Sequence, residues 1–171
     1  MLSVHACPLP GSALLTRHAR DGAFTDCYAT ELPAAVTHAQ YVAAFYTSPV
    51  FKLERFILKW ALSRPATDAQ ALQLAQGSTD AFSAWTVEAR ADDQLLLCDM
   101  TGRTRSWLMV EPLPAAQGGG TRLYFGSAVL PVRDRRTGQR TMGLAFRALL
   151  GFHKLYSVVL LAAARSRLAA R

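Results

Sequence analysis

The sequence lacks the features that mark several common classes of protein. It has only three cysteines, Cys7, Cys27 and Cys98, and their number and spacing match neither a metal site nor a disulfide framework. We therefore expect a reducing, cytoplasmic location, with each cysteine a buried small hydrophobe rather than a nucleophile. No two histidines have the spacing of metal ligands, so the sequence predicts no metal.

Signatures of catalysis and of cofactor binding are also missing. The chain contains no G-x-S-x-G nucleophile motif, no phosphate-binding glycine loop and no dinucleotide fingerprint. The glycine run at 118–120 has no following Lys-Ser or Lys-Thr, so it predicts a turn. The sequence thus predicts no cofactor, and whether the protein is an enzyme stays open.

Neither a secretory signal nor a membrane span is expected. Residues 1–21 lack a basic start and an unbroken apolar stretch, and the cluster Pro8–Gly11 predicts a leader that is either loose or strapped down. In the final segment the longest uncharged run, 155–164, has ten residues, whereas a span needs about twenty. We expect residues 22–171 to form one domain. Peripheral contact with a membrane surface stays open.

The composition is typical of a globular domain, with 51% hydrophobic and 18% charged residues. Basic charge is concentrated late in the chain, where ten Lys or Arg residues face a single acid from Arg122 onward. Sixteen arginines against three lysines, together with abundant alanine, indicate a bacterial source of high GC content. The basic third would attract an anionic partner, but a solvated face is the simpler interpretation.

Local patterns predict the order of the elements. Residues 22–32 alternate as a strand, and Thr37–Gln40 and Thr67–Gln70 are capping boxes that open short helices. Between them, Ser48 is the predicted N-cap of a helix over 49–62. From residue 82 the period changes to two, which predicts four antiparallel strands before a long final helix.

The final helix is amphipathic. Its basic residues fall on one line of a helical wheel, and an apolar stripe that includes Phe152, Tyr156 and Val159 lies opposite. Such a stripe fits a helix packed on a sheet, and it also fits a helix lying in a membrane interface. Because the strands need a cover and no other long apolar helix is predicted, we expect this helix to pack on the sheet.

This order of elements resembles the helix-grip fold of the START and Bet v 1-like (SRPBCC) ligand-binding superfamily, over residues 22–168. The resemblance implies an α+β fold. In that fold a curved antiparallel sheet of about five to seven strands wraps around a long C-terminal helix, with short helices after strand 1. It also implies an apolar cavity between the sheet and that helix.

The Thr101-Gly102 turn predicts the register of one hairpin. A two-residue loop there places Leu97 opposite Ser106 and puts Asp99 on the same, inward face. An inward carboxylate would anchor a ligand or transfer a proton. The alternative is that Asp99 caps the turn at the edge of the sheet.

The opposite face of these strands is predicted to be the outer one. It interleaves basic and aromatic residues, an arrangement that would stack on single-stranded nucleic acid. These residues are Arg103, Arg105, Trp107, Arg122 and Tyr124. Glu88 and Glu111 on the same face would form cross-strand ion pairs with the arginines, so we do not expect nucleic-acid binding.

On the last helix, His153 and Tyr156 would present an imidazole and a phenol to a cavity, although such residues are more often core members. His38, in a capping box, is expected to be exposed. Asp99 and His153 are the catalytic candidates. The predicted ligand-binding residues are Leu97, Asp99, Ser106, Phe125, Ser127, Phe152, His153 and Tyr156.

Three functions follow from this interpretation. The first is binding of a hydrophobic small molecule, such as a lipid or a polyketide-like compound, between the sheet and the final helix. The second is catalysis in the same cavity, as a cyclase, dehydratase or hydrolase. The third is an interaction module that contacts an anionic partner through its basic face.

Overall fold

The computed structural model describes residues 4–53, 66–117, 119–133, 140–141 and 144–170. Its centre is a seven-stranded antiparallel sheet in the order β1-β2-β7-β6-β5-β4-β3. Those strands are β1 His5–Ala6, β2 Phe24–Leu32, β3 Ala81–Phe82, β4 Trp85–Ala91, β5 Gln94–Asp99, β6 Thr104–Pro112 and β7 Thr121–Val129. A short pair, β8 Val132–Arg133 and β9 Arg140–Thr141, follows it. The predicted α+β class, with a long C-terminal helix and short helices after the first long strand, is confirmed.

The helices that accompany the strands include α1 Thr16–Arg20, α2 His38–Tyr46, α3 Asp68–Ala75 and α4 Leu144–Ala169, with a short 3₁₀ helix at Ala115–Gln117. Residues 49–53 are also helical.

The predicted helix starts are confirmed because they depend on local hydrogen bonds. In the first capping box, Thr37 Oγ1 accepts from the Gln40 amide at 3.2 Å, and Gln40 Oε1 accepts from the Thr37 amide at 2.9 Å. The Thr67 box has the same two bonds. Ser48 Oγ accepts from the amide of Phe51 at 3.2 Å, as an N-cap should, and the rest of that predicted helix lies outside the described residues.

The predicted hairpin register is confirmed. Leu97 pairs with Ser106 and Cys98 with Arg105. Because side chains alternate along a strand, this register puts Leu97 and Leu108 on the face that α2 and α4 cover. We call it the helix face.

The final helix packs on the helix face, against β2, β7 and α2, as predicted. The rotation of the helix was predicted wrongly, since Phe152 is 67% exposed and Val159 is 41% exposed. Within residues 151–170, the buried residues of this helix are Ser157, Leu160, Leu161, Ala162 and Ala164. The helical wheel placed the most hydrophobic residues toward the sheet. The structure instead buries small residues such as Ser157 and Ala164, which let the helix approach its neighbours closely.

Among the described residues, no helix combines the length and the apolar character that crossing a membrane requires.

Residues 4–20, which we call the strap, join the edge of the sheet through β1 and then lie across the other face of the sheet. β1 pairs with β2 at the sheet edge, and Leu15 is fully buried. Gln94 Oε1 accepts from the Leu14 amide and from Trp107 Nε1, both at 2.9 Å, and Gln94 Nε2 donates to the Ser12 carbonyl at 3.1 Å. The strap is therefore fixed to the sheet by both packing and hydrogen bonds.

The prediction of an exposed basic and aromatic surface was wrong, because the strap covers part of that surface. Trp107 is 0% exposed and Arg105 is 9% exposed. Sequence alternation identified the face on which these side chains lie but could not show that another segment covers it. A fully covered indole has no free ring face for stacking on a nucleic-acid base.

The predicted cross-strand ion pairs on this face are present. Arg105 Nε lies 2.5 Å from Glu88 Oε2, and Arg122 lies 3.4 Å from Glu111. Glu88 also contacts Arg17 and His18 of the strap. Burial would raise the pKa of Glu88, but its hydrogen bonds to His18 and Arg17 and the charge of Arg105 bring that pKa below its ordinary value.

His38 was predicted to be exposed, and this was wrong. It is 9% exposed at the start of α2, and its Nε2 is buried without a hydrogen-bond partner in the described part of the chain. Burial is the main cause that lowers its pKa from 6.5 to about 4, and the charge of Arg90 adds to it. The charge of Asp93 and a backbone hydrogen bond at Leu108 act in the opposite direction.

We therefore expect the protein to lose stability as the pH falls from 6.5 to about 4. The unfolded chain takes up a proton on His38 near pH 6.5, whereas the folded chain does so only near pH 4. The loss approaches about 3 kcal/mol at the acid end of this window. Urea unfolding of wild type and His38→Gln at several pH values measures it. The difference between the two curves should vary across the window, while the exposed His5→Gln control should follow wild type. Parallel curves for wild type and His38→Gln would contradict this account.

Candidate functional site

A cavity of about 130 Å³ lies between the helix face of the sheet, α2 and α4. Aromatic and aliphatic side chains form much of its wall: Phe45, Phe51, Trp85, Phe125, Tyr156 and Leu160. Its polar lining residues are Thr104, Arg105, Ser106, Ser127, His153 and Ser157. Because the Arg105 guanidinium is paired with Glu88 on the strap face, the cavity is mainly apolar with a few hydroxyls and one imidazole.

Five of the eight predicted ligand-binding residues line this cavity. They are Ser106, Phe125, Ser127, His153 and Tyr156. Leu97 is fully buried in the core of the same face but does not line the cavity. Phe152 points largely to solvent, with its ring stacked on Tyr156 at 6.0 Å between centroids.

Asp99 occupies the turn rather than the cavity. Its Oδ2 accepts from Thr101 Oγ1 at 2.6 Å, and its Oδ1 accepts from the amides of Arg103 and Thr104 at 2.8 and 3.0 Å. This is the turn-capping alternative that the sequence left open. With three donors already bound, the carboxylate holds the hairpin together, and it does not line the cavity that His153, the other catalytic candidate, lines.

A second carboxylate, which the sequence analysis did not single out, lies at the polar end of the cavity. Asp26 on β2 is directly opposite Ser127 on β7, and its side chain is 9% exposed. Ser127 Oγ donates to Asp26 Oδ1 at 2.6 Å, and the Ser127 amide donates to the same oxygen at 3.1 Å. His153 Nε2 lies 2.8 Å from Ser127 Oγ and 3.2 Å from Asp26 Oδ2, the second contact without hydrogen-bond alignment.

The proton positions follow from counting donors. A serine hydroxyl has one proton, and the short contact with Asp26 uses it. Ser127 Oγ therefore accepts from His153, which assigns a proton to His153 Nε2. In a nucleophilic triad the imidazole instead accepts the serine proton, and the carboxylate contacts the other ring nitrogen. This arrangement orients the serine and the imidazole but does not activate Ser127 as a nucleophile.

Polar residues that pair directly across neighbouring strands form a row beside this contact. Ser127 is directly opposite Ser106 on β6, so Asp26, Ser127 and Ser106 lie on three neighbouring strands. Tyr46 Oη lies 3.4 Å from Ser106 Oγ. Trp85 also lines the cavity, and its Nε1 donor is buried without an acceptor among the described residues. A ligand beside this row would meet hydroxyl groups that are fixed by the sheet.

The alternation of side chains along β2 could have shown that Asp26 lies on the helix face. Tyr28 and Leu32 belong to the core of the helix face, whereas Cys27 and Ala29 belong to the cluster under the strap. Even-numbered positions of β2 therefore face the helix, and Asp26 is one of them. Phe45, Phe51 and Trp85 reach the cavity from other elements, and no local pattern indicated that they meet there.

A second depression, of about 430 Å³, borders the end of the strap. It is lined by His18, Arg20, Asp21, Ala23, Leu130 and Pro131. Arg20 and Asp21 lie next to each other in this lining and have opposite charges. His18 Nε2 already contacts Glu88 Oε1, at 2.7 Å. We therefore regard the cavity under α4 as the candidate site. Within the described residues, no group of three or more His, Cys, Asp or Glu side chains is placed to hold a metal ion.

No protein-family model and no curated protein sequence matches the chain.

Proposed function

We propose that the protein binds a small molecule with an apolar, ring-sized body and one polar group in the cavity between the sheet and α4. The observation that carries this proposal is an aromatic-walled cavity with the Asp26, Ser127 and His153 contact at its polar end. Ligand sites are commonly apolar hollows with a few fixed polar groups. We also propose membership in the START-like superfamily, for which the layout of sheet and final helix is the support.

The volume favours a compact ligand over a long acyl chain. A buried apolar cavity of about 150 Å³ is enough for benzene, and this cavity measures about 130 Å³. A lipid or a large polyketide would have to displace the surrounding side chains. We therefore propose a ligand with a single aromatic or alicyclic ring.

The polar end favours a ligand that donates a hydrogen bond. Ser127 Oγ already donates to Asp26 and accepts from His153, so its remaining capacity is that of an acceptor. A hydroxyl group on the ligand would satisfy it. Trp85 Nε1, a buried donor on a residue of the cavity wall, would pair with the oxygen of such a group.

Phenol and benzene, titrated calorimetrically, test this proposal. We expect both to bind, with phenol about fivefold tighter, because one net hydrogen bond contributes about 1 kcal/mol. Ser106→Leu, which fills the cavity wall, should weaken phenol binding about tenfold or more.

Ser166→Leu is the matched control, since Ser166 is exposed on the same helix that covers the cavity. It should bind phenol as wild type does. Circular dichroism of both variants shows whether each is folded. Equal affinities in wild type and a folded Ser106→Leu would refute the proposed location, and failure of wild type to bind either probe would refute the proposal.

The second candidate function is acid–base catalysis on a bound molecule, favoured by one specific observation. His153 is 26% exposed beside the cavity and adjoins the nearly buried Asp26 carboxylate, a pairing that suits proton transfer. Conversion of a bound compound that stops in His153→Gln while its affinity persists would favour this function. An anionic partner that binds the basic face, and a cytoplasmic location, remain predictions from the sequence.

A further inference from the structure

Two cysteines that are far apart in sequence meet where the strap joins the sheet. β1 pairs with β2 through His5 opposite Ala29 and Ala6 opposite Tyr28. Continuing this register by one residue places Cys7 opposite Cys27, and the Cys7 amide donates to the Cys27 carbonyl at 3.0 Å. The two Sγ atoms are 3.4 Å apart, as free thiols in contact.

The backbone geometry of this pair suits a disulfide. Directly opposite residues in a hydrogen-bonded antiparallel pair have Cα atoms about 5.5 Å apart. Disulfides span Cα separations of about 4.4–6.8 Å. The Cβ atoms of such a pair lie about 5.5 Å apart, whereas a disulfide needs about 3.5–4.5 Å. Bond formation would therefore need side-chain rotation and a small local approach of β1, the short edge strand, to β2.

The two thiols differ in their access to solvent. Cys7 is half-buried and Cys27 is buried. Burial is the main cause that raises the pKa of Cys27 above its ordinary value, and the hydrogen bond and charge of Cys7 and the charge of Asp26 act in the same direction. A reagent in solution would thus meet Cys7 first.

We propose that Cys7 and Cys27 are a site of reversible oxidation, forming a disulfide that ties the strap to the edge of the sheet. The oxidant is a small-molecule disulfide. The Cys7 thiolate attacks one of its sulfurs, forming a mixed disulfide and releasing one thiol. The Cys27 thiolate then attacks Cys7 Sγ and releases the second thiol. The protein loses two protons and two electrons, and the oxidant is reduced to two thiols.

The disulfide would stabilise the fold through the strap. It would close a loop that contains residues 8–26, including the buried Leu15 and the segment bonded to Gln94. Closing a loop removes conformational freedom from the unfolded chain. Oxidised protein should therefore unfold at a higher temperature than reduced protein, and reduction should reverse the shift.

Incubation of the full chain with oxidised glutathione tests this inference. Peptide mapping by mass spectrometry should find a peptide pair joined through Cys7 and Cys27, with Cys98 free. The midpoint of thermal unfolding should rise by about 6–12 °C and return after dithiothreitol. Cys98→Ser is the matched control and should behave as wild type. Cys7→Ser and Cys27→Ser should show no internal cross-link and no such rise.

The mapping uses wild-type protein, so it remains decisive if a serine variant folds poorly. A stable glutathione adduct without the internal bond, three unreacted thiols, or a bond to Cys98 would overturn the proposed site. If the Cys7–Cys27 bond formed but the midpoint of thermal unfolding stayed the same or fell, the proposal that this disulfide stabilises the fold would be overturned. None of these outcomes depends on ligand binding in the cavity.

Discussion

Trp107→Ala is expected to lower the free energy of unfolding by about 3–5 kcal/mol. The indole is fully buried between the sheet and the strap, within a cluster that includes Leu15, Leu96 and Met109. Its removal leaves a cavity and also removes the 2.9 Å hydrogen bond from Nε1 to Gln94. In a domain of this size the loss corresponds to a fall in Tm of about 6–20 °C.

Trp107→Phe separates the two contributions. It retains an aromatic ring in the cluster but cannot donate to Gln94, so we expect a loss nearer 1 kcal/mol from the hydrogen bond, plus a smaller packing loss. Urea unfolding measures both variants. Limited trypsin digestion at Arg17 and Arg20 should accelerate in Trp107→Ala, because the strap loses its main contact. A loss below about 1 kcal/mol in Trp107→Ala would mean that the strap does not cover this residue.

Gly120→Ala is expected to destabilise the protein by about 2–4 kcal/mol. Gly120 has a φ of +98° just before β7, and a Cβ there would collide with the Leu32 carbonyl oxygen of the neighbouring strand. The conformation itself costs an L residue about 1–2 kcal/mol. Displacing the backbone at Leu32 adds a penalty of the size seen when a packed interior is overfilled.

Gly119→Ala is the matched control for backbone strain. Gly119 also has a positive φ, +68°, but a Cβ there would have no atom within 4 Å. Its loss should be about 1–2 kcal/mol, from conformation alone. Thermal or urea unfolding of both variants tests the difference. Equal losses would show that the close approach of Gly120 to Leu32 has no energetic consequence.

Features with local causes could be predicted from the sequence. The capping boxes at Thr37 and Thr67 depend on residues three apart, and the Leu97–Ser106 pairing follows from a tight turn. The cover of the sheet by the final helix followed from the need to bury an apolar face. These causes also brought Ser106, Ser127 and His153 into the predicted site.

Features that depend on distant segments could not be predicted in the same way. Nothing near Trp107 in sequence indicates that the strap covers it, and nothing near Cys7 indicates Cys27 as its neighbour. His38 is buried because of tertiary packing, although its position in a capping box is typical of an exposed residue. The contact of Asp26 with His153 joins β2 to α4, and only the register of the whole sheet places them together.

The central claim, a ligand-binding cavity between the sheet and α4, is tested most directly by nuclear magnetic resonance of isotope-labelled protein with phenol added. The account predicts shift changes concentrated at Ser106, Phe125, Ser127 and His153, with intermolecular Overhauser contacts from phenol to the Phe125 and Tyr156 rings. Shift changes confined to the strap, or no saturable change anywhere, would contradict it.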